Sequence, residues 1–393
     1  MTGVLQLPMK IPPDLVQDVL ARLHYSSADL ETFHLDATTG HLQYTHRGRE
    51  SPADVERKML KVIHKMISGF QRRRTKTLVD RRSTPTRYAA DPVPELERRG
   101  EMQKVGLGQY ALGPRLSKLA AYFEEEFTGI AGTLKADAYR FPTLIGVRAL
   151  SRCDYFTSFP QSVSFVMHLS ADVDVIEAFA ATMGTESSAV PPSAAHFATG
   201  EYVLSPAVCF HLYALLADRP LAAQPVIVTA VGKCFRYEAG NLGGLERLWD
   251  FSMREIIFVG SRDRVLSLRQ QSMDLFVDFL DRLELKYWIE TATDPFFIGD
   301  YSARSAFQSA MELKYEIRLD IPFKNSSIAA GSFNHHQNFF GKAFQIGQPG
   351  SDDWADTGCT AMGIERWVFG FLAQYGPEPA GWPPAVRQWI ERA

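Results

Sequence analysis

The stretch Phe235-Arg-Tyr-Glu-Ala-Gly-Asn-Leu-Gly-Gly-Leu-Glu-Arg247-Leu-Trp-Asp-Phe251, followed by Glu255, decides how this chain is read. Strand-like runs occupy 225–238 and 249–259, so the glycine-rich centre reads as the tip of a hairpin. Alternation along a strand places Arg236 and Glu238 on one face, and Arg247, Trp249 and Phe251 on one face of the partner strand. Two guanidinium groups and an aromatic ring on one sheet surface suit a polyphosphate and a purine, through charge-assisted bonds and stacking. A cross-strand ladder of ion pairs is the other reading of the same spacing. The chain has no Gly-x4-Gly-Lys-Ser/Thr loop and no Gly-x-Gly-x-x-Gly after a strand, so any nucleotide would have to be gripped by side chains.

Outward from the hairpin, a further strand-like run at 314–321 and helical runs at 112–130, 261–283 and 362–374 show no internal repeat. Strands bounded by loops, not alternating regularly with helices, favour an α+β fold: an antiparallel sheet flanked by helices. Near the N-terminus, residues 13–23 have helical spacing, and 30–36 and 41–46 read as short strands around a turn from Asp36 to Gly40. Ser51 and Pro52 open a helix through about Phe70, with Val55, Met59, Val62, Ile63 and Met66 on one face. From Arg57 to Arg87 there are eleven Lys/Arg and one acid, Asp80, including Arg72-Arg73-Arg74, and prolines at 85, 92 and 94 then interrupt regular structure. The expected division is 1–95, a small N-terminal α/β domain with a basic linker, and 96–393, a larger domain. The basic segment reads as a solvated face or as a patch for an acidic partner.

Composition narrows the class. Of 393 residues, 46% are hydrophobic and 22% charged, with a net charge of −3, which excludes disorder, a fibrous repeat and a disulfide scaffold. Near-neutral charge also argues against a general nucleic-acid binder. No run approaches the roughly 18–20 apolar residues of a membrane span, and the first residues lack the pattern of a secretory signal, so a cytoplasmic protein without membrane contact is expected. The four cysteines, Cys153, Cys209, Cys234 and Cys359, are widely spaced and expected to stay reduced. Cys153 and Cys234 read as small buried apolar residues. Adjacent His335 and His336 in an extended segment point to opposite faces, so at most one joins a site.

The hairpin segment resembles motif 2 of the class II aminoacyl-tRNA synthetases, Gly363-Ile-Glu-Arg366 resembles motif 3, and the helix at 112–130 leading to Pro142 resembles motif 1. The resemblance spans about 105–385 and implies a class II antiparallel sheet on which an amino-acid carboxylate attacks the α-phosphate of ATP. It implies that Arg236 bridges α-phosphate and carboxylate, Glu238 meets the adenine amino group, Phe251 stacks on adenine, and Arg247 and Arg366 hold the γ-phosphate. Arg236 and Arg366 are the implied catalytic cations, since preorganised guanidinium groups stabilise charge building on phosphorus. Mg2+ accompanies ATP, with Glu316 its candidate ligand. Leu204-Ser-Pro-Ala-Val-Cys209 resembles the segment that supplies a zinc-binding cysteine in threonyl-type and atypical seryl-type enzymes. With Glu255 and Cys359 it implies a Zn2+ site whose fourth position is open to the amino group of a substrate. Glu255 and Asn334 are the implied substrate contacts, although 326–334 lacks the glutamate that seryl-type enzymes place before the matching asparagine.

Arg152-Cys-Asp-Tyr-Phe-Thr-Ser-Phe-Pro160, the Cys/Glu/Cys set and Ser332-Phe-Asn-His-His-Gln-Asn-Phe-Phe-Gly341 are together similar to the amino acid–carrier-protein ligases, truncated homologues of the zinc-type seryl synthetases. This implies activation of glycine, alanine or serine as the adenylate and transfer to the phosphopantetheine thiol of an acidic carrier protein. A homodimer is implied as well. The chain lacks the helical arm of ordinary seryl enzymes, and about 20 residues follow the motif 3 helix, fewer than an anticodon-binding domain needs, so tRNA is not the expected acceptor. One alternative is a seryl-like synthetase that grips tRNA with its N-terminal unit. The other is a non-catalytic paralogue acting as a regulatory subunit, which the intact Arg236, Arg247 and Arg366 disfavour.

Overall fold

Residues 2–67 carry a sheet of their own. In the computed structural model, which describes residues 1–36, 39–68, 75–185, 196–198, 200–221, 225–293, 308 and 311–392, β1 (Thr2–Gln6), β2 (Leu30–Asp36) and β3 (His41–His46) pair antiparallel in the order β1-β3-β2. Helices α1 (Val16–Leu23) and α2 (Pro52–Ile67) share a core with it that includes Leu5, Val19, Leu42, Val55 and Met59. The α2 start is where the sequence puts it: the Ser51 hydroxyl accepts the Asp54 N–H at 3.2 Å, and Pro52 takes the first helical position. Phe70 and Arg72–Arg74 lie outside the described residues. Strand β1 was not expected, because Leu5 is its one buried side chain and leaves little alternation to read.

The larger part is built on eight strands. β4 (Thr77–Asp80), β5 (Asp137–Ala138), β6 (Val226–Phe235), β7 (Asp250–Gly260), β8 (Tyr287–Thr291), β9 (Lys314–Ile321), β10 (Ser326–Gln337) and β11 (Asp356–Gly363) lie in the order β4-β8-β9-β10-β11-β7-β6-β5. Every junction is antiparallel except β6-β5. The α+β expectation holds, with one correction: Thr77–Asp80, read as linker because arginines and prolines crowd it, is the outer strand of this sheet. The chain therefore joins the main sheet well before residue 95.

Alternation along β7 divides two cores. Ile256 and Phe258 face α3 (Pro114–Thr133), α5 (Arg262–Arg282) and α6 (Ile364–Tyr375), while Ile257 and Val259 face α4 (Cys209–Leu215) on the other side. The first core is aromatic: Phe127 meets Trp367 at 5.0 Å and Phe276 at 5.3 Å between ring centroids. Among the described residues, no helix is long and apolar enough to cross a membrane.

Candidate active site

Strand β6 ends at Phe235 and β7 starts at Asp250, so 236–249 is a long loop containing a 3-10 turn at Ala239–Asn241, not the tight tip that the glycines suggested. Cys234 pairs with Phe251 across the strands. The Arg236 guanidinium lies over the Phe251 ring, 5.4 Å from its centroid, and its Nε donates to the Pro206 carbonyl at 3.0 Å. Arg247 instead pairs with Glu238. The hairpin thus combines a cation on a ring with an ion pair inside the loop. Trp249 turns aside: its Nε1 donates to Ser164 at 3.0 Å and its ring meets Tyr237 edge-on.

The first turn of α6 backs this loop. Arg366 donates from Nε to the Glu246 carbonyl at 2.8 Å and from Nη1 to the Ala329 carbonyl at 3.0 Å. Burial pulls its pKa down to about 10, which leaves it a cation at neutral pH. Glu365 accepts the Ser252 N–H at 2.9 and 2.8 Å, which ties α6 to the strand residue next to Phe251.

Beside the loop, the ligand atoms of Cys209, Glu255 and Cys359 all lie within 4.8 Å of one another, and all three residues are buried. The fold explains the convergence. Glu255 shares a β7 face with Ile257, Ile257 pairs with Cys359 across the sheet, and Cys209 opens α4 on that same face. One Glu255 oxygen accepts the Val208 N–H at 2.9 Å, while Oε2 is buried with no hydrogen-bond partner. Burial raises the Glu255 pKa. The neighbouring Cys359 thiol, burial and the Glu255 carboxylate push the Cys209 thiol well up. Donors that oppose one another's ionisation in this way are stabilised by a shared divalent cation, and two thiols with a carboxylate whose oxygen has no partner fit zinc.

Around the cluster, Asn334 Nδ2 is 3.4 Å from the Cys359 sulfur and 2.9 Å from the Ser332 hydroxyl. His336 Nε2 is 3.9 Å from the same sulfur, whereas His335 turns away to Asp356 at 2.7 Å, so the two histidines diverge as expected. Cys153 and Cys234 are buried and lie outside the cluster, and burial pushes the Cys153 thiol up to about 12.

One cavity of about 410 Å³ is lined by Arg236, Glu238, Arg247, Phe251 and Arg366 and also by Cys209, Glu255, Asn334 and Cys359. Glu316 lines it as well, paired with Lys314 at 3.2 Å and Arg318 at 3.6 Å. Sequence reasoning missed the aromatic wall of Tyr155, Phe210 and Phe340, and the α1 side chains that reach the rim. Tyr155 and Phe340 lie in the two runs that carry the family likeness, but their place on one wall depends on contacts between distant parts of the chain.

Four cations of the basic segment have acidic partners within the chain, while Arg72–Arg74 lie outside the described residues. Lys76 pairs with Glu312 at 2.7 Å, Arg81 with Asp281 at 2.8 Å, Arg82 with Asp80 at 2.6 Å, and Arg87 with Glu284. Three of these four acids lie on the main domain, so the cations fasten β4 and the residues after it to that domain.

Amino acid–acyl-carrier-protein ligases 1 and 2 of Bradyrhizobium diazoefficiens are 30% and 31% identical to this chain over 261 and 260 residues, covering 65% of it and 76% and 74% of themselves. The chain belongs to this ligase family. The type-2 serine–tRNA ligase of Methanothermobacter thermautotrophicus is 29% identical to this family member over 316 residues, 77% of its length, and the chain spans 60% of that relative. The crystal structure of M. kandleri seryl-tRNA synthetase, in complex with A. aeolicus tRNASec, superposes on 99% of the ligase-family chain and 77% of its own, with a TM-score of 0.73 at 22% identity. That likeness shows a shared synthetase fold, N-terminal unit included. No protein-family model matches the chain.

Proposed function

We propose that the chain activates a small amino acid with ATP and transfers it to the phosphopantetheine thiol of a carrier protein. One observation carries this reading: a single cavity joins the Arg236–Phe251 pair to the Cys209–Glu255–Cys359 cluster. In the first half-reaction, a carboxylate oxygen of the amino acid bonds to the α-phosphorus and the bond to pyrophosphate breaks, giving aminoacyl adenylate. Arg236 is set in advance by the Pro206 carbonyl and the Phe251 ring, so it meets the charge that builds on phosphorus without reorganising. Phe251 offers its ring to adenine, and Arg247 and Arg366 take the leaving pyrophosphate. In the second half-reaction the carrier thiol gives up its proton and its sulfur attacks the acyl carbon, releasing AMP. A zinc ion held by Cys209, Glu255 and Cys359 supplies a Lewis-acid site for the substrate amino group. Asn334 steadies the Cys359 sulfur. Mg2+ accompanies ATP, with Glu316 in reach of the same cavity. The substrate is glycine, alanine or serine, and two chains pair as a homodimer.

A second reading makes tRNA the acceptor, favoured by the superposition on 99% of this chain of a synthetase seen with tRNASec. Radiolabelled amino acid, ATP and the protein incubated with phosphopantetheinylated carrier protein or with total tRNA separates the two. The expected outcome is label on the carrier, released by neutral hydroxylamine as a thioester. Label on tRNA alone refutes the carrier assignment.

A further inference from the structure

We propose that the N-terminal unit is the roof of the nucleotide pocket, with α1 clamping the 236–249 loop and presenting Arg22 to the bound nucleotide. This rests on reading that pocket as the ATP site. Three chemically unlike contacts join the two parts. Asn241 Nδ2 donates to the Ala21 carbonyl at 2.8 Å. That carbonyl sits in the last turn of α1, where carbonyls lack a partner within the helix. The Tyr25 hydroxyl donates to the Tyr237 carbonyl at 3.3 Å. The His24 ring sits so close to Gly240 that a Cβ there would come within 2.1 Å of Nδ1 and 2.5 Å of Cε1. Only glycine fits beneath it.

On its other side, the loop is held by the main domain. The Tyr110 hydroxyl accepts the Gly244 N–H at 3.2 Å, Lys324 pairs with Glu246, and Arg366 holds the Glu246 carbonyl. Within 237–242, the Tyr237 N–H also donates to the Ser162 carbonyl at 3.1 Å, and α1 supplies the contacts to the Tyr237 carbonyl, Gly240 and Asn241. Arg22 and Tyr25 complete the enclosure. Arg22 is buried and lines the same cavity as Arg236, Glu238 and Arg247. The Tyr25 phenol is pushed well above its ordinary pKa by burial and by the Glu238 charge, so it stays a neutral donor. A guanidinium enclosed on a cavity wall with Arg236, Arg247 and Arg366 suits a polyanion. Binding energy is reciprocal, so a nucleotide that uses the closed loop also tightens α1 against it, and a ligand that moves the N-terminal unit alters nucleotide affinity.

The test uses the full chain and equilibrium binding of ATP. Gly240→Ala drives a methyl group into His24 and is expected to weaken ATP binding about tenfold, the scale of one charge-assisted contact. His24→Ala/Gly240→Ala removes the clash and is expected to return affinity to that of His24→Ala. Arg22→Ala is expected to weaken ATP about tenfold as well, with KM for ATP rising and kcat unchanged, and Arg22→Lys to recover part of the loss. Thermal unfolding of each variant reports whether it is folded, and ATP is expected to slow amide exchange over residues 16–25. Wild-type affinity in Gly240→Ala and Arg22→Ala, with unchanged exchange in α1, overturns the roof while loss of binding in Arg236→Ala keeps the ATP site. Wild-type affinity in Arg236→Ala overturns the ATP site itself.

Discussion

Replacing Glu365 with alanine probes how α6 sets the hairpin. The buried carboxylate is the acceptor for the Ser252 N–H, at 2.9 and 2.8 Å, with Lys233 3.8 Å away. Removing it leaves a donor without a partner inside the protein, which costs about 2 kcal/mol, within the range of about 1–3 kcal/mol for such groups. Expressed as stability, this lowers the unfolding midpoint by about a few degrees at this chain length. Because Ser252 follows Phe251 directly, the same loss reaches the ring proposed to stack on adenine, and 2 kcal/mol expressed wholly there weakens ATP binding by about thirtyfold. Glu365→Gln keeps an oxygen acceptor and is expected to lose about half as much. Burial raises the Glu365 pKa, so its carboxyl adds stability below its ordinary value that is lost as pH rises through the folded value, and the glutamine variant lacks that slope. Thermal unfolding and equilibrium ATP binding, run side by side, measure both effects. An alanine variant with unchanged midpoint and affinity would show that the carboxylate is not the tether.

Two further outcomes follow from the geometry. Metal analysis of the purified protein is expected to find zinc, and Cys209→Ser/Cys359→Ser to lose it, since two of three donors go; full retention would refute the ligand set. In the N-terminal unit, the Asp29 carboxylate accepts N–H groups of Gly48, Arg49 and Glu50 and faces His46 Nδ1 at 3.1 Å, and is held at about 2. A lowered carboxyl adds stability that is present above its ordinary value of 3.8 and is lost as pH falls toward about 2. Acid titration followed by NMR should therefore loosen 46–50 over that window, and Asp29→Asn should remove the pH dependence there.

The fold was legible where one chemical pattern dominated. Helices α3 and α5 and strands β6, β7 and β9 fall within a few residues of their expected positions, because their apolar spacing is strong. Strands β10 and β11 were not legible, since Ala329-Ala330-Gly331-Ser332 and Gly358, Ala361 and Gly363 carry little strand signal. Of these, Ala329 to Ser332, Ala361 and Gly363 border the cavity, where bulk would fill it. Cys209, Glu255 and Cys359 came together through family likeness, and the physical reason emerged only from the register, which places Ile257 opposite Cys359. Arg81 and Arg87 pair with acids far along the chain, which local sequence does not show. For the same reason, α1 above the hairpin left no trace in local sequence.

Activation of an amino acid at this cavity is measured directly by amino-acid-dependent exchange of labelled pyrophosphate into ATP, across all proteinogenic amino acids. Exchange is expected with glycine, alanine or serine and is expected to disappear in Arg236→Ala. Absence of exchange with every amino acid, in protein that carries its zinc, would contradict that activation.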